Sequence, residues 1–227
     1  MGKALFHHHV ASRRERARAA TIDEIKETAQ RLMREQGTTE VRFSDIAREM
    51  GMTAPALYRY FADRDELLTA LIADAYNDLA DIVAEAQEKV PVDDPSGRLL
   101  AVSQAYRSWA RREPQRFALI LGMPVPGYAA PEEGPTTEAA RRAMVQLKSL
   151  FFDAAERNIL KPPLLPPETF QALLQCWSSL HGFTCLEAYG HLDWLPDEAR
   201  DELFESGVRL AAMTAGLPPP ATASGPS

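Results

Sequence analysis

Apolar side chains recur at every third or fourth position along almost the whole of this chain, and that spacing places them on one face of an α-helix. The segments that show it lie at about 21–36, 44–50, 54–61, 63–89, 96–112, 114–122, 137–160, 167–190 and 197–215. No segment shows the strict alternation of apolar and polar residues that is typical of a half-buried strand. The pattern therefore predicts an all-α fold.

Capping residues, glycine and proline set the predicted ends of these helices. Thr21 followed by Glu24 has the form of a capping box, so the first helix is expected to begin there, and Gly37 is expected to end it. Proline and glycine predict loops at 123–137 and 161–167.

Charge is distributed unevenly along the sequence. Residues 1–64 carry 12 lysines and arginines against 9 aspartates and glutamates, whereas the remainder carries 13 against 23. A basic first part can attract phosphate locally, because charges more than about 10 Å away are largely screened by salt. On charge alone, however, an ordinary solvated surface is the simpler interpretation. Sequence motifs are needed to distinguish it from a surface that binds nucleic acid.

The two cysteines and the histidine run give no indication of a metal or redox centre. Cys176 and Cys185 are nine residues apart in one predicted helix, hence about 13 Å apart along its axis. A disulfide needs Cα atoms within about 7 Å, so both are expected to be free thiols. His7–His9 can bind a metal ion, but a tag remnant or chance is the simpler origin. No cofactor and no metal site are predicted.

The sequence predicts no membrane partner. It contains no run of 18 apolar residues. Its first 20 residues lack the apolar core of a secretory signal. A cytoplasmic location is therefore expected.

The most informative segment is Phe43–Phe61, FSDIAREMGMTAPALYRYF. It predicts two short helices joined by a tight turn at Gly51–Thr53. Ala47 is small enough to let the second helix cross closely over the first. That crossing leaves the outer face of the second helix free to enter a DNA major groove, which is about 12 Å wide. The segment is therefore interpreted as a helix-turn-helix.

The side chains of this segment suit double-stranded DNA. Those expected to contact phosphates carry a hydroxyl or a guanidinium: Arg42, Thr53, Tyr58, Arg59 and Arg64. Those expected to face base edges are short: Ala54, Pro55 and Ala56. Ser44 is expected to add a hydrogen bond to a base or to a phosphate. Direct readout by such short groups is sparse, so DNA shape is expected to supply part of the specificity. The basic cluster 12–18 is expected to precede the first helix and to reach along the backbone or into a minor groove.

These residues resemble the N-terminal domain of TetR-type transcriptional regulators. The resemblance is carried by DIAREMGM, by the T-A-P-A-LYRYF run and by Arg64 three residues beyond it. Arg42 replaces a threonine that often caps the second helix, so that cap is either lost or replaced by Ser44. Arg64 replaces the commoner lysine, which keeps the charge but changes the geometry.

The resemblance implies a domain order and a set of partners. It implies a three-helix helix-turn-helix domain over 12–64 and a larger helical ligand-binding and dimerisation domain over 65–216. It also implies a homodimer that binds a palindromic operator, usually as a repressor, and that a small-molecule effector releases. The composition of LPPPATASGPS after Gly216 separately predicts a disordered tail over 217–227.

The second part of the chain offers weaker signals. The segment CWSSLHGFTCLEAYGHL resembles the Trp…His-Gly signature of one group of TetR-type C-terminal domains. The last predicted helix is expected either to form a four-helix bundle with a partner subunit or to pack within one subunit. The candidate cavity residues are largely aromatic: Tyr76, Tyr106, Trp109, Phe117, Phe151, Trp177 and His181. Each belongs either to an apolar pocket or simply to the core, and a pocket would suit an apolar or aromatic effector.

Two other classes of protein fit the sequence less well than a regulator does. An enzyme is disfavoured, because the chain has no G-x-S-x-G, no phosphate-binding glycine loop and no H-E-x-x-H. A helical protein that only binds other proteins would have no use for the LYRYF run surrounded by arginines. Salt-dependent binding to duplex DNA separates these classes.

Overall fold

The computed structural model describes residues 13–157 and 166–219, and this part of the chain contains helices, turns and loops but no strand. The helices are α1 Arg13–Gln36, α2 Phe43–Glu49, α3 Ala54–Leu57, α4 Arg64–Glu88, α5 Pro95–Arg112, α6 Pro114–Leu121, α7 Pro135–Glu156, α8 Pro166–Ala188 and α9 Asp197–Thr214. The predicted all-α fold is thus confirmed. None of these helices combines the length and the apolar character that a membrane span requires.

The chain divides into two compact units, the first ending at Leu71 and the second beginning at Ile72. The sequence-based boundary between 64 and 65 lies at the start of α4, whereas the units divide inside α4. The reason is that Leu67 and Leu68, both fully buried, belong to the first unit. The first two turns of α4 therefore contribute to the core of the first unit.

The first unit has a small apolar core built from all of its helices. Its buried side chains are Ile25, Ala29, Met33, Val41, Ile46, Ala47, Leu57, Phe61, Leu67, Leu68 and Leu71. Gly51 adopts a φ of 63° in the turn between α2 and α3, a conformation that costs a residue with a Cβ about 1–2 kcal/mol. The turn is closed by the Met52 N–H, which donates to the Ala47 carbonyl at 2.8 Å.

Two predicted helix limits in this unit are wrong. The first helix begins by Arg13, and Thr21 lies inside it with its hydroxyl donating to the Ala17 carbonyl at 3.0 Å. Alanine and arginine are strong helix formers, so residues 13–20 extend the helix and the apparent capping box is unused. The third helix ends at Leu57 rather than near Phe61, and turns follow it.

The basic cluster is consequently helical rather than a free arm, since residues 13–18 form the first turns of α1. Ser12 and the run His7–His9 lie outside the described residues, as do 158–160 of the predicted 137–160 helix. The predicted loop at 161–167 is described only at its end, where α8 begins at Pro166. The loop predicted over 123–137 is shorter, because α7 already begins at Pro135.

The second unit is organised around α5, which packs against α6, α7, α8 and α9. Asp94 caps α5 by accepting a hydrogen bond from the Gly97 N–H at 2.8 Å, and Pro95 occupies the first turn, where its missing N–H costs nothing. The fully buried side chains Trp109, Phe117 and Phe151 lie in the core of this unit. Both cysteines are free thiols, as predicted.

The start of the predicted tail is packed. Leu217 is buried in the core of the second unit, and the Pro218 carbonyl accepts a hydrogen bond from the Ser96 hydroxyl. Packing therefore continues past the expected limit at 216. Residues 220–227 of the predicted disordered tail lie outside the described residues.

Candidate functional site

The crossing of α2 and α3 leaves one side of α3 uncovered. Leu57 faces the core and is fully buried, whereas Thr53, Pro55 and Tyr58 are exposed, with 57% of Tyr58 accessible to solvent. Ala54 and Ala56 are half-buried, so they add little bulk to the surface. Thr53 precedes α3, and its hydroxyl makes no capping hydrogen bond, which leaves that hydroxyl available to a partner.

A surface groove beside α3 brings together three of the predicted phosphate-contacting residues. It is lined by Glu40, Val41, Arg42, Phe43, Tyr58 and Arg64. The Tyr58 ring packs at a tilt against Phe43 with centroids 5.1 Å apart, which fixes where its hydroxyl projects. The Arg64 Nε donates to the Val41 carbonyl at 3.3 Å, so this guanidinium is held at the groove by the backbone. We call this set of residues the Arg42–Tyr58–Arg64 groove.

The other predicted contact residues of this unit lie outside that groove. Arg59 is exposed, and its side chain has no ion-pair partner among the residues that the structure describes. Ser44 is also exposed in the first turn of α2. That helix begins after Arg42 with no side-chain cap, so the threonine cap is lost and Ser44 does not replace it. Arg42 instead pairs with Glu40 at 3.4 Å.

Arg18 has a role that the sequence did not reveal. Its Nη2 donates to the Arg59 carbonyl at 3.1 Å, and its guanidinium carbon lies 5.6 Å from the centre of the Tyr60 ring. These contacts tie α1 to the turn after α3, so Arg18 positions the helix-turn-helix rather than reaching out from it. Because 41 residues separate Arg18 from Arg59, no local pattern signals this pairing.

The second unit contains an apolar cavity of about 40 Å³. Its lining residues are Tyr76, Leu79, Val83, Val102, Ser103, Tyr106, Leu121, Ala143, Met144, Leu147, Trp177 and Leu180. Three of the seven predicted residues, Tyr76, Tyr106 and Trp177, line it. Trp109, Phe117 and Phe151 do not, because they are fully enclosed by other core side chains. The Trp109 indole N–H donates to Asp78 at 2.8 Å, which is a structural contact.

His181 does not line the cavity but lies behind two residues that do, Tyr106 and Trp177. Its Nδ1 is 2.9 Å from the Tyr106 hydroxyl, its ring stacks on Trp177 with centroids 5.4 Å apart, and its Nε2 is 3.4 Å from the Cys185 sulfur. Burial lowers the pKa of His181, so the imidazole is held in its neutral form. Burial also raises the pKa of Tyr106 far above its ordinary value. The environment of these two side chains therefore disfavours their charged forms.

A buried ion pair joins α5 to α8. Arg107 donates from Nε and Nη2 to the two carboxylate oxygens of Glu187, at 2.7 and 2.6 Å. Its Nη1 lies 2.8 Å from Asp201 of α9, and its guanidinium lies 4.7 Å from the Phe204 ring centre. Burial lowers the pKa of Arg107, but the bonds to Glu187 and Asp201 outweigh it and raise that pKa overall. The pair was not predicted, since its members are 80 residues apart.

The outer sides of α8 and α9 carry an exposed apolar surface, which we call the α8–α9 face. Its large side chains, 44–69% exposed, are Phe170, Leu174, Leu186, Leu203, Leu210 and Met213. Gly182 and Gly207 are also exposed, and a Cβ added at either would meet no atom within 4 Å. Exposed apolar side chains on two helices that pack together, with open space beside two glycines, are typical of a helix–helix contact with a partner.

Comparisons with known proteins match both units. The model described as "Bacterial regulatory proteins, tetR family" matches residues 25–71, and "Tetracyclin repressor-like, C-terminal domain" matches residues 99–211. The HTH-type transcriptional regulator Rv1816 of Mycobacterium tuberculosis is 40% identical over 150 residues, which cover 66% of this chain. Over that match the chain spans 62% of the length of this relative.

Solved structures agree with these matches. The crystal structure of SCO4313, described as a regulatory protein, is 36% identical with a TM-score of 0.72, covering 88% of this chain and 98% of that one. The TetR family transcriptional regulator PfmR from Thermus thermophilus is 20% identical with a TM-score of 0.59, covering 82% of this chain and 96% of that one. At that identity, the likeness to PfmR shows the fold alone.

Proposed function

Because this chain belongs to the TetR family, a family of DNA-binding transcriptional regulators and not of enzymes, we propose that it binds a two-fold symmetric operator as a homodimer. We propose further that it acts as a repressor and that a small apolar or aromatic effector releases it. The observation that carries the proposal is the uncovered side of α3 beside the Arg42–Tyr58–Arg64 groove.

The chemistry of that surface suits duplex DNA. Two guanidiniums and a phenol hydroxyl at one groove can each bind a phosphate oxygen, and Arg59 adds a cation that has no protein partner within the described chain. The side chains of Pro55, Ala54 and Ala56 are short, so α3 can approach the base edges closely and contact thymine methyl groups. Such contacts read few bases, so the operator must also be recognised through its shape.

The α8–α9 face supports the dimer. An exposed surface of this apolar character is costly in water and is covered favourably by the same surface of a second copy, as a two-fold axis requires. Gly182 and Gly207 leave room for the backbones of the partner helices to approach closely. Dimerisation doubles the DNA contact, because two recognition helices about 34–36 Å apart fit successive turns of the major groove.

The cavity of the second unit supports an effector site. Its walls come from α4, α5, α6, α7 and α8, so a molecule that enlarges it must move at least one of those helices. We propose that effector binding favours a conformation in which the two recognition helices no longer match the operator spacing. Near-complete release requires the effector to prefer that conformation by a factor of about 10⁴ in affinity.

The test is selection from a library of random duplexes by the purified chain, at two salt concentrations, with sequencing of the bound fraction. We expect enrichment of a palindrome whose half-sites are about one helical turn apart. Binding without sequence enrichment that disappears at moderate salt would contradict the proposal, because it would reflect phosphate attraction alone.

Two variants sharpen this experiment on the selected operator. Arg59→Ala removes a cation whose side chain has no ion-pair partner within the described chain, so we expect weaker binding to all DNA sequences. The slope of the logarithm of the binding constant against the logarithm of the salt concentration should become less steep by about one. Lys89→Ala is the matched control, since Lys89 is an exposed cation of the second unit that pairs with Glu85 at 2.8 Å. Equal effects of the two variants would mean that net charge, and not this surface, binds DNA.

The dimer is tested separately. Leu210→Asp places a charge in the middle of the α8–α9 face, where 61% of Leu210 is exposed, so the monomer should fold normally. We expect sedimentation to show a monomer and operator affinity to fall strongly. A variant that stays dimeric would show that the second copy binds elsewhere.

A further inference from the structure

We propose that the cavity of the second unit takes an uncharged, mainly apolar molecule that carries a hydrogen-bond acceptor, such as a ketone or an ester, and excludes the corresponding carboxylate. The inference rests on the proposed function only in treating this cavity as the effector site. It follows from the charge and hydrogen-bond state of the lining side chains.

The first observation is the absence of formal charge in the wall. None of the lining residues in the described chain is a lysine, arginine, histidine, aspartate or glutamate. A carboxylate that entered would lose its hydration without gaining a cationic partner, and an unpaired buried charge is strongly unfavourable. Burial also raises the pKa values of Tyr76 and Tyr106, which shows that this wall disfavours negative charge.

The second observation is that the hydroxyl groups of the wall are already engaged. Tyr76 donates to the Ile120 carbonyl at 2.9 Å, and Ser103 donates to the Leu99 carbonyl at 2.6 Å. The Tyr106 hydroxyl is hydrogen-bonded to Nδ1 of His181 at 2.9 Å. The protons of the Tyr76 and Ser103 hydroxyls are therefore engaged within the protein, and neither can be donated to a ligand without breaking that hydrogen bond.

Trp177 provides a donor that the described part of the protein leaves unused. Its indole N–H has no acceptor among the residues that the structure describes, and its ring is held by stacking on His181. An indole N–H is a neutral donor that suits one carbonyl or ether oxygen. We take this N–H as the directional contact of an otherwise apolar site, which is the usual composition of a small-molecule pocket.

The size of the cavity also limits the ligand. A volume of about 40 Å³ lies far below the roughly 300 Å³ of an ordinary ligand pocket and below the roughly 150 Å³ that holds a benzene ring, so even one ring must displace lining side chains. Met144 lines the cavity and is 40% exposed, and its unbranched side chain can move aside to admit a small ring. Compact aromatic probes are therefore the appropriate first ligands.

The experiment compares acetophenone, benzoate and α-methylstyrene, three probes of nearly equal shape, by calorimetry on the full chain at neutral pH. We expect acetophenone to bind at least about 100-fold more tightly than benzoate, because only a fraction on the order of one in a thousand of the acid is uncharged. The hydrocarbon leaves water more readily than the ketone, so the two affinities are compared after subtracting each probe's water-to-octanol transfer free energy. On that scale the hydrocarbon should bind about 2- to 10-fold more weakly, since it lacks the acceptor.

Two variants locate the effect in this cavity. Trp177→Phe should remove the preference for the ketone over the hydrocarbon. Met144→Arg should raise the affinity for benzoate at least about tenfold by supplying a cation at the exposed edge, whereas the control Met144→Leu should not. Benzoate binding as tightly as acetophenone, or binding of none of the three probes up to their solubility limits, would overturn the inference. Neither result bears on DNA binding by the first unit, which the operator selection tests independently.

Discussion

Removing Arg107 should destabilise the second unit far more than removing any exposed arginine. The side chains of Arg107 and Glu187 are only 9% and 3% exposed, so Arg107→Met leaves the Glu187 carboxylate buried without its two closest donors. Breaking a buried pair in this way costs about 3–5 kcal/mol of unfolding free energy. Arg111 lies 4.0 Å from the same carboxylate and can partly replace the lost charge, so we expect a value near the lower limit, about 3 kcal/mol.

Urea denaturation at fixed protein concentration measures this loss, because the concentration of a dimer affects its apparent stability. Replacing both partners by apolar residues, Arg107→Met with Glu187→Leu, should return the stability to within about 1 kcal/mol of the original chain. Arg209→Ala is the exposed control and should cost under about 1 kcal/mol. A loss of less than about 1 kcal/mol for Arg107→Met would refute the reasoning, because the pair would then behave as a surface pair.

Three further predictions concern single positions in the two units. Gly51→Ala should lower the unfolding free energy by about 1–2 kcal/mol, measured by urea denaturation, because φ at Gly51 is 63°. Burial lowers the pKa of His181, so the unfolded chain protonates this imidazole more readily than the folded chain does. Thermal stability should therefore fall as the pH drops below about 6.5, and His181→Asn should reduce that fall. Phe117→Ala should lower the unfolding free energy by about 3–5 kcal/mol, because Phe117 is fully buried. Leu186 is 47% exposed, so Leu186→Ala should chiefly weaken dimerisation, which sedimentation measures.

Local sequence patterns predicted the helices and the helix-turn-helix well. Apolar spacing and the proline and glycine breaks depend on neighbours within a few residues, and so does the Gly51 turn between α2 and α3. The same locality explains the errors. Thr21 matches a capping box in sequence, but whether a helix starts there depends on how far residues 13–20 extend it.

Sequence alone could not separate cavity from core among the aromatic residues. Tyr76, Tyr106 and Trp177 line the cavity, whereas Trp109 and Phe117 are enclosed, although all five follow the same helical spacing. The spacing says which side of a helix is apolar, but not what lies opposite that side. Only the packing of α4, α5, α6, α7 and α8 decides where a space remains.

The sequence by itself determined the helical fold and the DNA-binding motif, because both arise from contacts between residues close together in the chain. The tertiary structure decided which charges are buried and which surfaces remain open. Arg107 meets Glu187 across 80 residues, and Arg18 meets Arg59 across 41. Such pairings depend on how whole helices pack, and no local pattern encodes the distance between two side chains that the chain brings together only on folding.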